Sequence, residues 1–372
     1  MVDATPPTLS TRELNRATLA RQMLLGREDL PVYDAVRRLA GLQAQVPNPP
    51  YIGLWTRLRG FGRRDLTGLI EDRRVVRSSM MRATLHLTTA EDYLLLRPAI
   101  QAALDGSLRS IAGKRLQGLD LDGLVSAARA MVEDGPRTFK ELQERLVALE
   151  PDRDPSALAY LVRMRLPLVQ TPPAGTWSTG GSPRFALPEP WLGAPLAEPG
   201  ESLRTLVLRY LAAFGPAGAR DFQAWSGLTG AKGLFQEIKP ELDLYRDEEG
   251  NELFDVPGTP LPPAHTPAPP RFVPEYDNLV LSHADRRRVI ADEDRKKVFL
   301  SAARVRATFL IDGFVAGVWK VEKTRKSATL VVEPFAPLTP RDRDALAEEG
   351  ERLLRLATDG QPELDVRFEN AG

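Results

Sequence analysis

The chain has 372 residues, of which 42% are hydrophobic and 27% charged, with 50 basic and 50 acidic side chains. This composition is typical of a globular protein and excludes the disordered and membrane-spanning classes, and the length predicts two to four folding units. The absence of cysteine excludes disulfides, zinc–cysteine clusters, iron–sulfur sites and a thiol nucleophile. Residues 1–12 lack the basic-then-apolar order of a signal peptide. We therefore expect a cytoplasmic protein that does not contact a membrane.

The first predicted unit covers residues 1–116. Ser10 and Glu13 have the spacing of a capping box for the first helix, which begins directly after Ser10. The other elements predicted here are helices over 32–42 and 51–58 and strands over 75–76 and 81–87. Three helices followed by a β-hairpin are typical of a winged helix.

The same order recurs twice along the chain. The second unit, 117–200, has predicted helices over 121–132, 138–149 and 155–164 and strands over 168–170 and 175–177. The third unit, 201–256, has predicted helices over 203–214, 219–225 and 231–239 and strands over 242–245 and 252–256. In both units a Gly-Pro pair ends the first helix. Because a repeat supports the interpretation of each copy, the sequence predicts tandem winged helices.

The C-terminal region differs in composition. Seven prolines lie within residues 257–270, which we expect to form an extended linker. In the unit 271–372, Asp312-Gly313 predicts a hairpin turn between strands over 305–311 and 314–321, because Asp-Gly readily adopts positive φ angles. A strand over 327–333 and a helix over 340–356 are expected to follow. The predicted fold class is α+β, mainly α, with tandem winged helices and a C-terminal β-rich domain.

The zero net charge conceals a segregation of charge. Residues 1–116 carry 18 Lys and Arg against 11 Asp and Glu, and residues 271–330 carry 13 against 8. If these two segments fold against each other, they form a positive face that can hold an anionic polymer. The alternative is a solvated surface with random blocks of charge.

The sequence offers little for metal or cofactor chemistry. Its three histidines, His86, His265 and His283, are too widely separated to match a metal-ligand spacing. It also contains no GxGxxG after a strand, no Walker loop and no Gly-x-Ser-x-Gly elbow, so nucleotide-dependent and serine-hydrolase chemistry lack support. We expect no metal and no cofactor.

Residues 81–87 alternate between apolar and polar side chains. In a strand, this alternation places Arg82, Thr84 and His86 on one face, where they can donate hydrogen bonds to phosphates. A solvent-facing edge strand without any ligand shows the same alternation. The pattern alone leaves both interpretations open.

Gln43 and Gln45 form a second candidate group. Pro47 disfavours helical geometry at the preceding residue, so the helix is expected to end near Gln43 and the chain to continue extended. Residues two apart share a face of an extended segment, which would bring the two uncharged amides together. Glutamines near a helix end are also commonly solvated or bound to backbone groups, so the pair by itself is ambiguous.

Several motifs carry a resemblance to a known family. They are Leu-x-Gly-Leu-Gln-Ala-Gln at 39–45, Met-Arg-Ala-Thr-Leu-His at 81–86, Pro-Glu-Tyr-Asp-Asn-Leu at 274–279, Asp-Arg at 285–286 and Ile-Asp-Gly-Phe-Val-Ala-Gly-Val-Trp at 311–319. In this order they resemble the bacterial DNA glycosylases built of tandem winged helices, which unhook interstrand crosslinks and are named for azinomycin resistance. The likeness spans residues 10–356. The Gln-x-Gln form resembles the branch associated with self-resistance to DNA-alkylating natural products, whereas the other main branch carries Gln-x-Asp.

The resemblance implies a monofunctional glycosylase that hydrolyses the N-glycosidic bond of N7-alkylated purines, including bulky or crosslinked adducts, in base excision repair. It implies that Gln43 and Gln45 are the catalytic pair and that a C-shaped monomer surrounds double-stranded DNA. With the charge pattern, it predicts DNA contacts by Arg82, Thr84, His86, Arg286, Arg287, Lys323, Arg325 and Lys326. No lysine lies within 1–113, so no amine is expected to form a Schiff base. The alternatives are a non-enzymatic winged-helix transcriptional regulator and a scaffold that binds proteins.

Overall fold

The computed structural model describes residues 6–301, 303–358, 360–361 and 363–370, so parts of the predicted units 1–116 and 271–372 lie outside the described residues. The fold is α+β, as predicted. The helices are α1 Thr11–Arg21, α2 Val32–Arg38, α3 Pro49–Trp55, α4 Arg63–Glu71, α5 Ala90–Leu96, α6 Gln101–Ala112, α7 Leu121–Glu133, α8 Phe139–Leu149, α9 Pro155–Arg165, α10 Pro188–Leu192, α11 Pro199–Phe214, α12 Ala219–Ser226, α13 Ala231–Ile238, α14 Asn278–Leu281, α15 Arg295–Val298 and α16 Pro340–Ala357. The strands are β1 Leu42–Gln43, β2 Val75–Ser79, β3 Leu85–Thr89, β4 Arg137–Thr138, β5 Val169–Gln170, β6 Arg184–Ala186, β7 Asp243–Arg246, β8 Glu252–Asp255, β9 Arg271–Val273, β10 Thr308–Ile311, β11 Phe314–Lys323, β12 Ser327–Pro334 and β13 Glu363–Phe368.

The predicted helix starts are confirmed where the sequence carries a cap. At α1, the Ser10 backbone N–H donates to Glu13 at 2.8 Å, and the Ser10 hydroxyl accepts from the Glu13 N–H at 3.3 Å. The capping box of Thr138 and Glu141 does the same for α8. Each box satisfies backbone donors that the first helical turn leaves unpaired. The order predicted for 201–256, three helices and then the β7–β8 hairpin, is also confirmed.

Two predicted elements around the candidate residues are wrong. Helix α2 ends at Arg38 rather than near residue 42, because the chain turns through Gly41 at φ +89° into strand β1. Residues 81–84 are not part of a strand. Met81–Ala83 form a 3₁₀ turn with positive φ at Arg82 and Ala83, and strand β3 begins only at Leu85. The alternation of apolar and polar residues therefore begins before the strand itself.

The strands of the first two predicted units join in one sheet. Its order is β1-β3-β2-β5-β6-β4, and the two halves meet where Arg77 of β2 pairs with Gln170 of β5. Within the second unit, β5 pairs with β6 and not with residues 175–177, so the strand predicted over 175–177 is wrong. Residues 171–183 instead form a long connection that brings Trp177 against Tyr51 of α3, with ring centroids 5.5 Å apart.

The C-terminal unit is a five-stranded sheet of order β13-β12-β11-β10-β9. The predicted Asp312-Gly313 turn is confirmed, with φ +47° and +82°, and it packs on α1, where Arg12 and Arg16 pair with the Asp312 carboxylate. Helix α16 lies on this sheet through buried residues such as Leu346 and Leu353. Residues 257–270 contain neither helix nor strand, as predicted for a linker.

Buried ion pairs connect the N-terminal residues to later parts of the chain. Arg57 donates to both carboxylate oxygens of Asp277, at 2.8 and 2.9 Å, and Arg21 pairs with Asp255 at 2.5 Å. Breaking a buried pair by removing one partner typically costs about 3–5 kcal/mol, because it leaves an uncompensated charge. The Arg57–Asp277 pair fixes the 274–279 segment against α3, beside strand β1, and the Arg21–Asp255 pair joins α1 to β8. No helix in the described part of the chain is long and apolar enough to cross a membrane.

Candidate active site

Gln43 is the last residue of β1, and Gln45 lies two residues beyond it, where the chain bends. Gln43 pairs in register with His86 of β3 and is only 8% exposed, whereas Gln45 is exposed. Between them, the Ala44 N–H donates to the Leu85 carbonyl at 2.7 Å. Pairing with β3 therefore holds the backbone at Gln43 and Ala44, directly before Gln45.

Arg82 fixes the orientation of the Gln43 amide. Its guanidinium donates to Gln43 Oε1 at 2.7 Å and also to the Trp225 carbonyl. A guanidinium has donors only, so the amide oxygen and not the nitrogen has to face Arg82. Arg82 reaches this position because the turn places it in the left-handed region, at φ +54°. Burial, and then the nearby Arg286, lower its pKa to about 10, which leaves it charged at neutral pH.

His86 lies beside this pair and is completely buried, so the prediction that it shares an exposed face with Arg82 and Thr84 is wrong. Burial, and then the positive charge of Arg82, lower the pKa of His86 to about 3. The ring is therefore neutral at pH 7. Its Nδ1 lies 3.1 Å from the Thr84 carbonyl, which assigns the proton to that nitrogen, and Nε2 finds no hydrogen-bond partner within the described part of the chain.

Gln45 is held through its backbone and its side chain. Arg77 donates to the Ala44 carbonyl at 2.8 Å and to the Gln45 carbonyl at 3.1 Å. The Gln45 Oε1 accepts a long hydrogen bond, 3.4 Å, from the Leu85 N–H. Since that group is also a donor only, both glutamine oxygens are oriented by donors. Each carbonyl oxygen has two lone pairs, so each retains one for a further ligand.

Two residues that sequence reasoning missed support this motif. Arg77 is one, and Asn278 is the other: its Nδ2 donates to the Gly41 carbonyl at 2.7 Å, just before β1. Asn278 follows Asp277, the buried partner of Arg57, so the 274–279 motif anchors the approach to Gln43. The motif was visible in the sequence, but its contact with residues more than 200 positions earlier was not.

The predicted DNA-contacting residues fall into two groups. Near Gln43, the Thr84 hydroxyl donates to the Met81 carbonyl. Arg286 lies close enough to Arg82 to lower the pKa of Arg82. Arg287 is exposed but pairs with Asp285 at 2.5 Å and Glu249 at 2.7 Å, and these carboxylates raise its pKa. The structure thus brings four of the predicted residues close to Gln43, namely Arg82, Thr84, His86 and Arg286. Arg287 follows Arg286 in the sequence, and Asp285 and Glu249 neutralise its charge.

The second group is the tip of the β11–β12 hairpin, which we call the cationic tip and define as residues 323–326. Lys323 donates to the Ala357 carbonyl at 2.5 Å, while Arg325 and Lys326 are exposed and form no ion pair with any described residue. The segregated charge of 1–116 is only partly on the surface. Buried arginines of that segment are Arg16, Arg21, Arg57, Arg77 and Arg97. Part of the charge excess therefore neutralises internal carboxylates.

Comparison with known proteins gives a consistent result. The family model described as "DNA glycosylase AlkZ-like" matches residues 36–356. A curated relative, the interstrand DNA cross-link repair glycosylase of Streptomyces sahachiroi, is 27% identical over 96% of this chain and 99% of its own length. The solved structure of Streptomyces sahachiroi DNA glycosylase AlkZ shares the fold, with a TM-score of 0.80 and 24% identity over 97% of this chain and 100% of that one. The described residues contain no group of His, Asp and Glu that could hold a metal ion. The chain belongs to the AlkZ-like DNA glycosylase family.

Proposed function

We propose that this DNA glycosylase hydrolyses the N-glycosidic bond of N7-alkylated purines, including bulky and interstrand-crosslinked adducts, as in self-resistance to a DNA-alkylating natural product. The observation that carries the proposal is the orientation of Gln43 and Gln45 by Arg82 and the Leu85 N–H. The name of the Streptomyces relative, a cross-link repair glycosylase, supports the substrate class.

The chemistry suits two neutral amides. Alkylation at N7 leaves the purine positively charged, so the base is already a good leaving group and needs little general-acid assistance. The site has to position a water and stabilise the oxocarbenium-like sugar. The remaining lone pairs of the two Oε1 atoms can accept hydrogens from that water and direct partial negative charge at the sugar. Ordinary glycosidases use two carboxylates instead.

The residues around Gln43 support a reaction in which the base leaves with little general-acid assistance. His86 is neutral at pH 7 and donates from Nδ1 to the Thr84 carbonyl, so it is not a proton donor to the departing base. Arg82 keeps the Gln43 oxygen in place. A neutral pair also discriminates against undamaged nucleosides, whose leaving groups require protonation.

We further propose that the four units, 1–116, 117–200, 201–256 and 271–372, surround double-stranded DNA as a C-shaped monomer in the cytoplasm, with the first three as winged helices. In this arrangement the cationic tip contacts the duplex opposite Gln43 and Gln45 and widens a groove. Its exposed cations, Arg325 and Lys326, support this role because they are available to phosphates. Arg286 and Thr84 then contact the strand that carries the lesion.

The proposal is tested by incubating the protein with duplex DNA that contains N7-methylguanine and measuring the release of free base by mass. A second duplex carries a bulky N7-guanine crosslink. Release of 7-methylguanine, with an abasic site left in the strand, is the expected result. Salt-sensitive DNA binding without release of any base would instead support the transcriptional regulator, which shares the fold but gives the glutamine pair no role.

A further inference from the structure

A groove next to Gln45 lies between β2, the 171–183 connection and helices α8 and α9. We call it the Gln45 groove; its volume is about 360 Å³, and its walls include Arg77, Leu85, Phe139, Lys140, Arg163 and Gln170. Two of these walls contact Gln45. The Leu85 N–H donates to Gln45 Oε1 at 3.4 Å, and Arg77 donates to the Gln45 carbonyl at 3.1 Å. The groove therefore begins at the point where this candidate catalytic residue is held.

The Gln45 groove carries positive charge. The described residues that line it include no Asp or Glu but three cations, Arg77, Lys140 and Arg163. Arg77 donates only to neutral oxygens, two backbone carbonyls and the Gln170 amide, so no carboxylate neutralises its charge. Lys140 is exposed and comes no closer than 3.9 Å to its helical neighbour Glu144. Uncompensated positive charge around a groove attracts an anion.

Arg163 is the cation best arranged to bind such an anion. Its guanidinium lies 4.6 Å from the centroid of the Phe139 ring, and that ring packs on Phe185 with centroids 4.1 Å apart. Stacking on an aromatic ring fixes the plane of a guanidinium and leaves the N–H groups at its edge free. The side chain is exposed and forms no hydrogen bond or ion pair with any described residue. A guanidinium held in this way suits two oxygens of a phosphate.

Two further sets of donors lie at the same groove. Gln170 is only 5% exposed, and its Oε1 accepts from Arg77. Its Nε2 is accessible and donates to no described residue. The backbone N–H groups of residues 180–182 also donate to no residue in the described part of the chain. A tetrahedral anion with several acceptor oxygens can bind guanidinium, amide and backbone donors together.

We propose that the Gln45 groove binds a backbone phosphodiester of the lesion-carrying DNA strand, within two nucleotides of the damaged purine, with Arg163 as its main contact. The inference rests on the proposed function, because that function brings the sugar of the damaged nucleotide to Gln45. Phosphodiesters flank this sugar on both sides, so a phosphate site beside Gln45 fixes the strand on which Gln45 acts. Arg163 is thus a positioning residue, and it belongs to the second unit rather than to the one that carries the glutamines.

The test uses the full chain and duplexes that contain 2′-fluoro-7-methyl-deoxyguanosine. Its fluorine disfavours the oxocarbenium-like sugar, so the lesion survives while the Kd is measured by fluorescence anisotropy. Single methylphosphonate linkages, which lack the phosphate charge, are placed in turn around the lesion in either strand. For the unsubstituted protein, one linkage of the lesion strand should weaken binding by about tenfold, the scale of losing a charge-assisted hydrogen bond.

Arg163→Ala should show the same loss of affinity on the all-phosphate duplex and little further loss when that one linkage is a methylphosphonate. Arg163→Lys keeps the charge without the planar fork and should recover part of the affinity. Arg145→Ala is the matched control, because Arg145 is exposed on α8, forms no ion pair with a described residue and does not line the groove. This control should remain fully sensitive to the same linkage.

Additive losses for Arg163→Ala and every methylphosphonate would overturn the inference, since groups that do not touch contribute independently. Coupling of Arg163 to a linkage in the opposite strand would also overturn it. Excision assays on the natural lesion separate the two levels of the argument. Release of 7-methylguanine without any coupling at Arg163 would remove the phosphate site and leave the proposed function standing. Coupling at Arg163 without release of base from any lesion duplex would support the site and count against the proposed reaction.

Discussion

The strand that carries Gln43 and Gln45 and the cationic tip are built in opposite ways. Around β1, polar groups are held in place: Arg82 orients Gln43, Arg77 holds the Gln45 backbone, and Asn278 anchors Gly41. At the tip, Arg325 and Lys326 extend into solvent. Catalysis requires fixed geometry, whereas phosphate contacts tolerate mobile side chains and depend on charge. The contrast predicts that ionic strength acts on binding, that tip variants act on binding and on the excision of bulky adducts, and that variants around β1 act on the chemical step.

The largest expected effect concerns salt. A face with about six phosphate contacts loses around 10³ in affinity between 50 and 200 mM salt. The affinity of the protein for duplex DNA, measured by fluorescence anisotropy, should fall on this scale. The single-turnover excision rate at saturating protein should remain nearly constant over the same range. A flat salt dependence of the affinity would show that the basic segments do not converge on one face.

The next effect concerns Arg82. Arg82→Met removes the donors that orient Gln43 Oε1, so the single-turnover rate should fall by roughly tenfold or more, the scale of removing a group that positions a catalytic side chain. Arg82→Lys retains one donor and should recover part of the rate. The Kd for DNA should stay constant, because the guanidinium faces Gln43 and Trp225.

A weaker Kd with a reduced salt slope in Arg82→Met, at an unchanged rate, would instead support the sequence-based prediction that Arg82 contacts a phosphate.

A smaller effect is expected at the cationic tip. Replacing Lys323-Thr324-Arg325-Lys326 by Asn-Gly retains a turn that suits the hairpin and removes three cations. The salt slope of binding should fall by about one for each phosphate that the shortened tip no longer binds. Excision of a bulky adduct should slow more than excision of N7-methylguanine, because the methyl lesion distorts the duplex less. Equal single-turnover rates on the bulky adduct at saturating protein would eliminate a catalytic role for the tip.

The last effect concerns stability rather than binding or catalysis. His86 and His283 are buried, and burial lowers the pKa of each to about 3. The unfolded chain takes up protons on them near pH 6.5, so the free energy of unfolding should decrease as pH falls below that value, by at most about 1.4 kcal/mol per pH unit for each histidine. His86→Gln should reduce this slope in urea unfolding. His265→Gln, at an exposed site, should not; an equal slope in all three proteins would contradict the assignment.

The sequence predicted best where local chemistry decides the structure. The capping box at Ser10, the Asp312-Gly313 turn and the helix order of 201–256 depend on neighbouring residues, and all are confirmed. The sequence predicted worst where contacts between distant segments override the local pattern. Residues 81–84 alternate like a strand, yet they turn with Arg82 and Ala83 at positive φ beneath Trp225, a contact that spans more than 140 positions.

In the candidate site, too, local features were predicted and contacts between distant segments were not. The pair of glutamines was visible as a motif, and extended backbone was predicted there; the structure has it at Gln43, whereas residues 45–48, beside Pro47, bend. The burial of His86 was not, because β3 is an inner strand between β1 and β2 rather than an edge strand, and this pairing is not visible in the local pattern. Arg77 was missed for a similar reason: a single arginine has no local signature, and its contacts with the backbone of Ala44 and Gln45 appear only once the chain has folded.

Single-turnover release of 7-methylguanine from duplex DNA measures whether Gln43 and Gln45 carry out excision. Gln43→Ala and Gln45→Ala should each reduce the rate by roughly a hundredfold or more, the scale of removing a group that positions a reactant, with little change in the Kd for DNA. Glutamine-to-alanine variants that retain the full excision rate would contradict the account and leave the pair with a structural role only.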